Sequence, residues 1–319
     1  MNAIETHDLT KFYGKSRGII DLDLSVREGE IFGFIGPNGA GKSTTIRTLL
    51  NFIYPTKGGA SIFGRDCVAD TREVKKLIGY IPAEVAYYDD MRVRDLLAYS
   101  AQFYPGDHTA RARELAGIFE VELDRRIEAL STGNRRKVAI IQALQHRPKL
   151  LILDEPTSGL DPLMQARFFQ VLEEENKNGT TVFFSSHILS EVQRLCHRVG
   201  IIKEGRLIRV EEVEKLRASR YKAVKVELAT PERAAAFVSA VGGAGGAGPA
   251  GDGGASRPGA GALPGADNLR VHGRTVEFIY RGKVGPLLGH LAGLEPENVW
   301  LEEPSLEEIF MRYYGKEGN

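Results

Sequence analysis

Cysteine is scarce: the 319 residues hold two, Cys67 and Cys196, far apart and without metal-ligand spacing. That argues against a cysteine-built metal site and for two small core residues in a reducing compartment. Neither sign of charge is in excess, since Lys+Arg and Asp+Glu each total 42. Nothing in that balance argues for wrapping nucleic acid or coating an anionic membrane. No window approaches the ~20 apolar residues of a membrane span. The opening stretch, MNAIETHDLTK, lacks the apolar segment of a signal peptide. The expectation is a soluble protein, with any membrane role coming through a partner. The length accommodates two domains with cores of their own.

What the chain does have is a concentrated glycine motif. Gly36–Thr44 reads GPNGAGKST, after the apolar run Glu30–Gly36 and before the helix-like stretch Thr44–Asn51. Strand, glycine-rich turn and helix in that order are the context of a phosphate-binding P-loop. Gly36, Gly39 and Gly41, with Asn38 in the same turn, let the backbone curl so that consecutive amides face phosphate oxygens. The positive end of the following helix strengthens that field. Lys42 is long enough to reach the β- and γ-phosphates, and the Ser43 hydroxyl, followed by Thr44, is placed for Mg²⁺. The motif predicts a nucleoside-triphosphate site.

The first thirty residues alternate weakly, at Ala3–Leu9 and Ile19–Val26, and predict half-buried antiparallel strands. Strands are also expected near Ala60–Phe63 and Ile78–Ile81. From about Arg92 to Leu130 the period turns helical, with Val93, Leu96, Leu97 and Phe103 near one face and Leu115, Ile118 and Phe119 on a second. Two apolar runs, Leu150–Leu153 and Thr181–Ser185, read as parallel strands buried on both faces. From Tyr221 the order becomes βαββαβ, with Thr230 capping a helix that starts at Pro231, and Ser305–Glu308 a capping box for a last helix. That order suggests a ferredoxin-like sandwich. It is interrupted by the Gly/Ala/Pro-rich tract 242–265, whose composition is that of a flexible surface loop.

Asp154-Glu155 closes the Leu150–Leu153 run, which is where a Walker B pair belongs. Asp154 would hold Mg²⁺ through water and Glu155 would polarise an attacking water as general base. Leu130-Ser-Thr-Gly-Asn134 precedes a helix that Ser131 can cap, leaving its first amides free for an anion. With Ser158-Gly-Leu-Asp161 and His187, the set resembles the ATP-binding-cassette (ABC) transporter ATPases, over about Ile4 to Leu216 and with the motifs in the family's order. The resemblance implies that Ser131 and Gly133 belong to the signature motif, Asp161 to the D-loop, and that His187 is the switch histidine. It places Tyr13 where an aromatic stacks on adenine. Taken singly, Tyr13 is as readily a turn aromatic and His187 a strand-end histidine.

The resemblance implies an α/β architecture: a mixed-sheet P-loop core with antiparallel β and helical subdomains, the last at about 85–145, filling residues 1–217. A smaller α+β domain occupies 218–319. It implies an ATP hydrolase with ATP and Mg²⁺ as cofactors. Two copies meet head to tail, and a separate integral-membrane permease holds them at the cytoplasmic face of the membrane. The single cassette and the tail Pro304–Phe310 look like the bacterial export subfamilies for drugs, antibiotics or peptides. The rival readings are a soluble ABC-type ATPase acting on nucleic acid or ribosomes, which neutral charge disfavours, and an effector-regulated ATPase. Two departures stand out. The signature carries Thr132 and Asn134 where the family has Gly and Gln, and the Q-loop glutamine is replaced by Ala83, with Glu84 either a substitute or a solvent-facing neighbour. Tyr87-Tyr88 is either an exposed pair at a permease interface or ordinary packing.

Overall fold

The computed structural model describes residues 1–217, 221–242, 263 and 265–302. The alternating N-terminal stretches form β1 (Asn2–Tyr13) and β2 (Ser16–Arg27), paired antiparallel. Ile4, Leu9, Ile19, Leu22 and Val26 are buried, as a strand with one apolar face requires. The run after them is β3 (Ile31–Ile35), buried at every position. It leads through the glycine turn into α1 (Lys42–Leu49), which starts two residues before the sequence expectation because Gly41, at φ 113°, already serves as its N-cap. β4 (Lys57–Ile62) and β5 (Arg65–Asp66) extend the first sheet to the order β2-β1-β4-β5.

After α2 (Thr71–Lys75), β6 (Ile78–Ile81) enters a second sheet. A helical section follows: α3 (Val93–Ala101), α4 (Thr109–Ile118), a single tight turn at Ile127–Ala129, and α5 (Thr132–Leu144). Val93, Leu96 and Leu97 are buried, whereas Phe103 is 63% exposed. The helix ends at Ala101, so its period does not carry Phe103 inward, and the ring instead stands edge-on to Tyr99. β7 (Leu150–Asp154), α6 (Pro162–Lys177), β8 (Thr181–Ser186), α7 (Leu189–Leu195), β9 (Arg198–Lys203), β10 (Arg206–Glu212) and the short α8 (Val213–Arg217) come next.

The second sheet has the order β10-β9-β3-β8-β7-β6. All its neighbours are parallel except the β10–β9 edge pair. The parallel strands therefore share one C-terminal edge, the usual place for a ligand in an α/β sheet. Aromatics fill its centre: Phe183 is fully buried, stacked on Phe32 at 6.0 Å and tilted against Phe34 at 5.3 Å.

The chain divides into two units, Met1–Val213 and Glu214–Asn319. In the second, β11 (Tyr221–Glu227), α9 (Pro231–Gly242), β12 (Ala266–His272), β13 (Thr275–Arg281), α10 (Val284–Ala292) and β14 (Asn298–Glu302) build an antiparallel sheet of order β12-β13-β11-β14. This is the pairing of a βαββαβ sandwich. Val224, Val226, Phe237, Val276, Phe278 and Leu287 form its core. Thr230 accepts a hydrogen bond from the Arg233 amide at 3.4 Å, at the start of α9. The capping box at Ser305–Glu308, the tail to Phe310 and nearly all of the 242–265 tract lie outside the described residues.

Phe183→Ala removes a ring with no room to collapse around it, and is expected to cost about 3–5 kcal/mol in urea unfolding followed by fluorescence. A loss below about 1 kcal/mol, the range of surface changes, would contradict that packing.

Candidate active site

β3 ends at Ile35 and the chain curls over Gly36–Gly41 into α1. At Gly36 a Cβ would stand 2.3 Å from the Ile202 carbonyl oxygen of β9, so only hydrogen fits. Gly39 and Gly41 have φ of 78° and 113°, a region that side chains disfavour. The turn ends with the first helical amides facing outward from α1, as any helix start leaves them, and they can receive an anion. Asn38 is exposed on the turn, while Ser43 and Thr44 are half-buried behind it. Lys42 is buried, its Nζ donating to the carbonyls of Gly36 at 2.7 Å and Pro37 at 3.3 Å. Tyr13, at the end of β1, is 45% exposed. A Cβ placed on Gly18 would meet both its ring (3.1 Å) and Thr44 Cγ2 (2.9 Å), so ring and turn flank one stretch of backbone.

Two strands over from β3, β7 delivers the acidic pair. Asp154 lies opposite Ser185 in the parallel register of β7 and β8. It is 2% exposed, and Ser185 Oγ donates to its Oδ1 at 2.7 Å. Glu155 leaves the strand at φ 50°, its amide donating to the Ser185 carbonyl at 3.1 Å. A non-glycine residue held there costs about 1–3 kcal/mol. Its carboxylate joins two neighbours, Lys42 Nζ at 3.3 Å and His187 Nδ1 at 2.6 Å. His187 follows β8, the strand lying between β3 and β7, and half its side chain is open to solvent.

A buried carboxylate at Asp154 and a hydroxyl at Ser43 are hard oxygen donors, which suit Mg²⁺. That ion usually takes one or two carboxylates and fills its shell with water and substrate phosphates. Among the described residues no group of three or more His, Cys, Asp or Glu could hold a metal unaided. The donor set therefore fits Mg²⁺ arriving with a nucleotide.

Ser131 caps α5, its Oγ accepting from the Asn134 amide at 3.3 Å. Gly133 in the first turn packs on the 158–161 loop, its Cβ position 2.8 Å from the Gly159 carbonyl oxygen. Asp161 ends that loop as the cap of α6, accepting from the Met164 amide at 2.9 Å. Among the described residues no hydrogen bond or ion pair joins Ser131 or Asp161 to Lys42, Glu155 or His187. Ser131 and Asp161 are thus each engaged as helix caps rather than with Lys42, Glu155 or His187.

Glu84 is exposed, and Ala83 contributes its carbonyl rather than a side chain. The tyrosine pair splits. Tyr88 is 68% exposed, but the Tyr87 hydroxyl is buried without a hydrogen-bond partner, and burial pushes its pKa up. Of the two alternatives for the pair, Tyr87 fits ordinary packing and Tyr88 an exposed position. Both line a groove of about 930 Å³ together with Phe52, Tyr80, Tyr99 and Phe103.

Two residues of the site carried no usable signal in the sequence. Ser185 is one of two serines at a strand end, and only the β7–β8 register shows which one meets Asp154. Arg136 sits in the charged run Arg135-Arg-Lys137, of the kind that usually marks a solvated face, yet it is buried.

Gly36→Ala drives a methyl into the β9 backbone and is expected to weaken nucleotide binding about tenfold or more, with the circular dichroism spectrum of the fold retained. Unchanged affinity by titration calorimetry would show that the turn has slack.

Known proteins agree with this geometry. A family described as ABC transporter matches residues 19–158. The bacitracin transport ATP-binding protein BcrA of Bacillus licheniformis is 38% identical over 72% of this chain and 76% of its own. The Nod factor export ATP-binding protein I of Burkholderia orbicola (strain AU 1054) is 31% identical and aligns over 98% of this chain and 97% of its own. A solved ATP-binding subunit of an ABC transporter superposes with a TM-score of 0.64 at 29% identity, covering 67% of this chain and 92% of that one. Relatives at this identity and coverage, with a P-loop, a serine-capped helix and an acidic strand end following one another on such a sheet, show that the chain belongs to the ABC transporter ATP-binding family.

Proposed function

We propose that two copies of this chain enclose MgATP between them, head to tail, and that its hydrolysis drives export through a separate membrane permease. The observation that carries this reading is the division of the site. Glu155 contacts both Lys42 and His187 at one sheet edge, whereas Ser131 is engaged in capping α5 and, among the described residues, forms no hydrogen bond to any of the three. A second copy, related by a two-fold axis, supplies Ser131 and the 158–161 loop to the first and receives the same in return.

The residues then divide the work. Tyr13 stacks on the base. The amides of Gly36–Thr44 and the Lys42 ammonium bind phosphate oxygens, for which Lys42 gives up Glu155. Ser43 and Asp154 would hold Mg²⁺, which when bound would supply positive charge against the nucleotide's phosphate oxygens. Glu155, released from Lys42, accepts a proton from the attacking water. His187 keeps that carboxylate aimed through its 2.6 Å contact. The partner's signature helix presents amides to the γ-phosphate, which is where charge develops.

No helix among the described residues is long and apolar enough to cross a membrane; in this reading a separate membrane partner holds the chain at the cytoplasmic face. The groove beside the helical section suits it. Tyr88, Tyr99, Phe103 and Phe52 are exposed aromatics gathered along it, the residue type that anchors protein interfaces. The cargo is chosen by the permease, in keeping with relatives named for bacitracin transport and Nod factor export.

Membrane fractionation with affinity purification tests this. A multi-span protein should co-purify with the chain, and Phe103→Glu should reduce its yield about tenfold, as loss of an interface anchor does, while ATP turnover of the isolated chain stays unchanged. Recovery of salt-sensitive RNA or DNA, with no membrane protein, would overturn the transport reading.

A further inference from the structure

Arg136 is 5% exposed in a helix whose neighbouring Arg135 forms an ordinary surface pair with Asp89. No carboxylate lies within ion-pair distance of Arg136 among the described residues. Its guanidinium is held by backbone carbonyls instead: Pro82 and Ala83 at 2.5 Å each, and Ser158 at 3.3 Å. Those carbonyls belong to two separate loops. Pro82 and Ala83 follow β6 in the position of the Q-loop, and Ser158 opens the loop that leads to Asp161. Arg136 itself sits one turn into α5, the helix that Ser131 caps. Three segments therefore converge on one planar, fork-shaped cation, which suits several acceptors held at fixed angles.

The placement is chemically pointed. A buried cation is costly unless its donors are satisfied, and the surroundings of Arg136 are negative. Desolvation lowers its pKa, while Tyr87, Asp154 and Glu155 act to keep it charged. The positive centre is thus within electrostatic reach of the acidic pair of the site. The loop that carries Ala83 has no side-chain amide with which to reach its surroundings, and its backbone is engaged by Arg136 instead.

We propose that Arg136 is a positioning residue: it locks the 82–83 loop, the 158–161 loop and the signature helix into one register, at a point where Ala83 has no side-chain amide of its own to offer. The inference rests on the ATPase reading given above. Arg136 touches no nucleotide in this account. It sets the relative placement of the two surfaces, Ser131 and the 158–161 loop, that one copy offers to another, and ties both to the loop beside the permease groove.

Steady-state MgATP hydrolysis by the full chain tests it. Arg136→Met should lower kcat about tenfold or more and move KM by less than about twofold, the signature of an interaction used in turnover rather than in substrate capture. Arg136→Lys, which keeps the charge but cannot span three carbonyls, should fall between parent and Arg136→Met. Adding Ala83→Gln to Arg136→Met should recover kcat by about threefold or more, whereas Ala83→Gln alone should stay within about twofold of the parent. A merely structural arginine would lower the thermal midpoint in both backgrounds and gain nothing from Gln at position 83. Parent-like kcat in Arg136→Met overturns the proposal, as does the absence of rescue. Should Arg136→Met fail to fold, Arg136→Lys with and without Ala83→Gln is read by the same criteria. A parent chain without MgATP turnover would instead remove the ATPase reading and leave the role of Arg136 moot.

Discussion

The ion pair between Lys42 and Glu155 is the contact on which the rest of the molecule depends. At 3.3 Å, with the lysine side chain 6% exposed and the glutamate 18%, it sits where water screens little. Such a pair gives no large net stability, because desolvation offsets the attraction. What it provides is position. Lys42 starts the helix after β3, Glu155 follows β7, and His187 follows β8 between them, so three adjacent parallel strands end on one another's functional groups. The sheet order is what makes the site. A glycine that tolerates no Cβ against β9 and a glutamate held at φ 50° are the local costs of bringing them together.

In the proposed mechanism the same contact gives the site two states. A lysine that pairs with the general base cannot at that moment grip phosphate, and a base held by lysine is a poor proton acceptor. On that reading nucleotide entry exchanges one partner for another. In the reading proposed above, donors for the γ-phosphate from the far side come from a second copy; within one chain Ser131 Oγ accepts from the Asn134 amide and, among the described residues, bonds to neither Lys42 nor Glu155. On that reading a single chain is incomplete, and assembly is part of the chemistry. The proposed role of Arg136 extends this, because the carbonyls it gathers come from the loop after β6 and the loop before α6.

Much of this was legible in the residues. The P-loop, Asp154-Glu155 and the Ser131 cap are local patterns whose chemistry depends on neighbours in sequence, and the strand at Ile78–Ile81 falls where the apolar pattern put it. The alternating second unit likewise yields its sheet from strand order alone. What could not be read was long-range. Nothing in Ser185-Ser186 tells which hydroxyl meets Asp154 before the β7–β8 register is known. Tyr87 and Tyr88 are identical in type yet face opposite ways, and Phe103 keeps the helical period but lies past the helix end. Arg136 looks like solvated charge until three carbonyls from distant segments are seen around it. Each is a case in which tertiary contact, rather than propensity, decides the side chain's environment.

The claim that the site is shared between two copies is tested most directly by the mass of Glu155→Gln in solution with and without MgATP, by sedimentation velocity or light scattering. With the base disabled and the phosphate cradle intact, the account predicts a monomer that becomes a dimer on addition of MgATP, and stays monomeric when Ser131→Arg is also present. A Glu155→Gln chain that binds MgATP and remains monomeric, with its permease partner present, would contradict it.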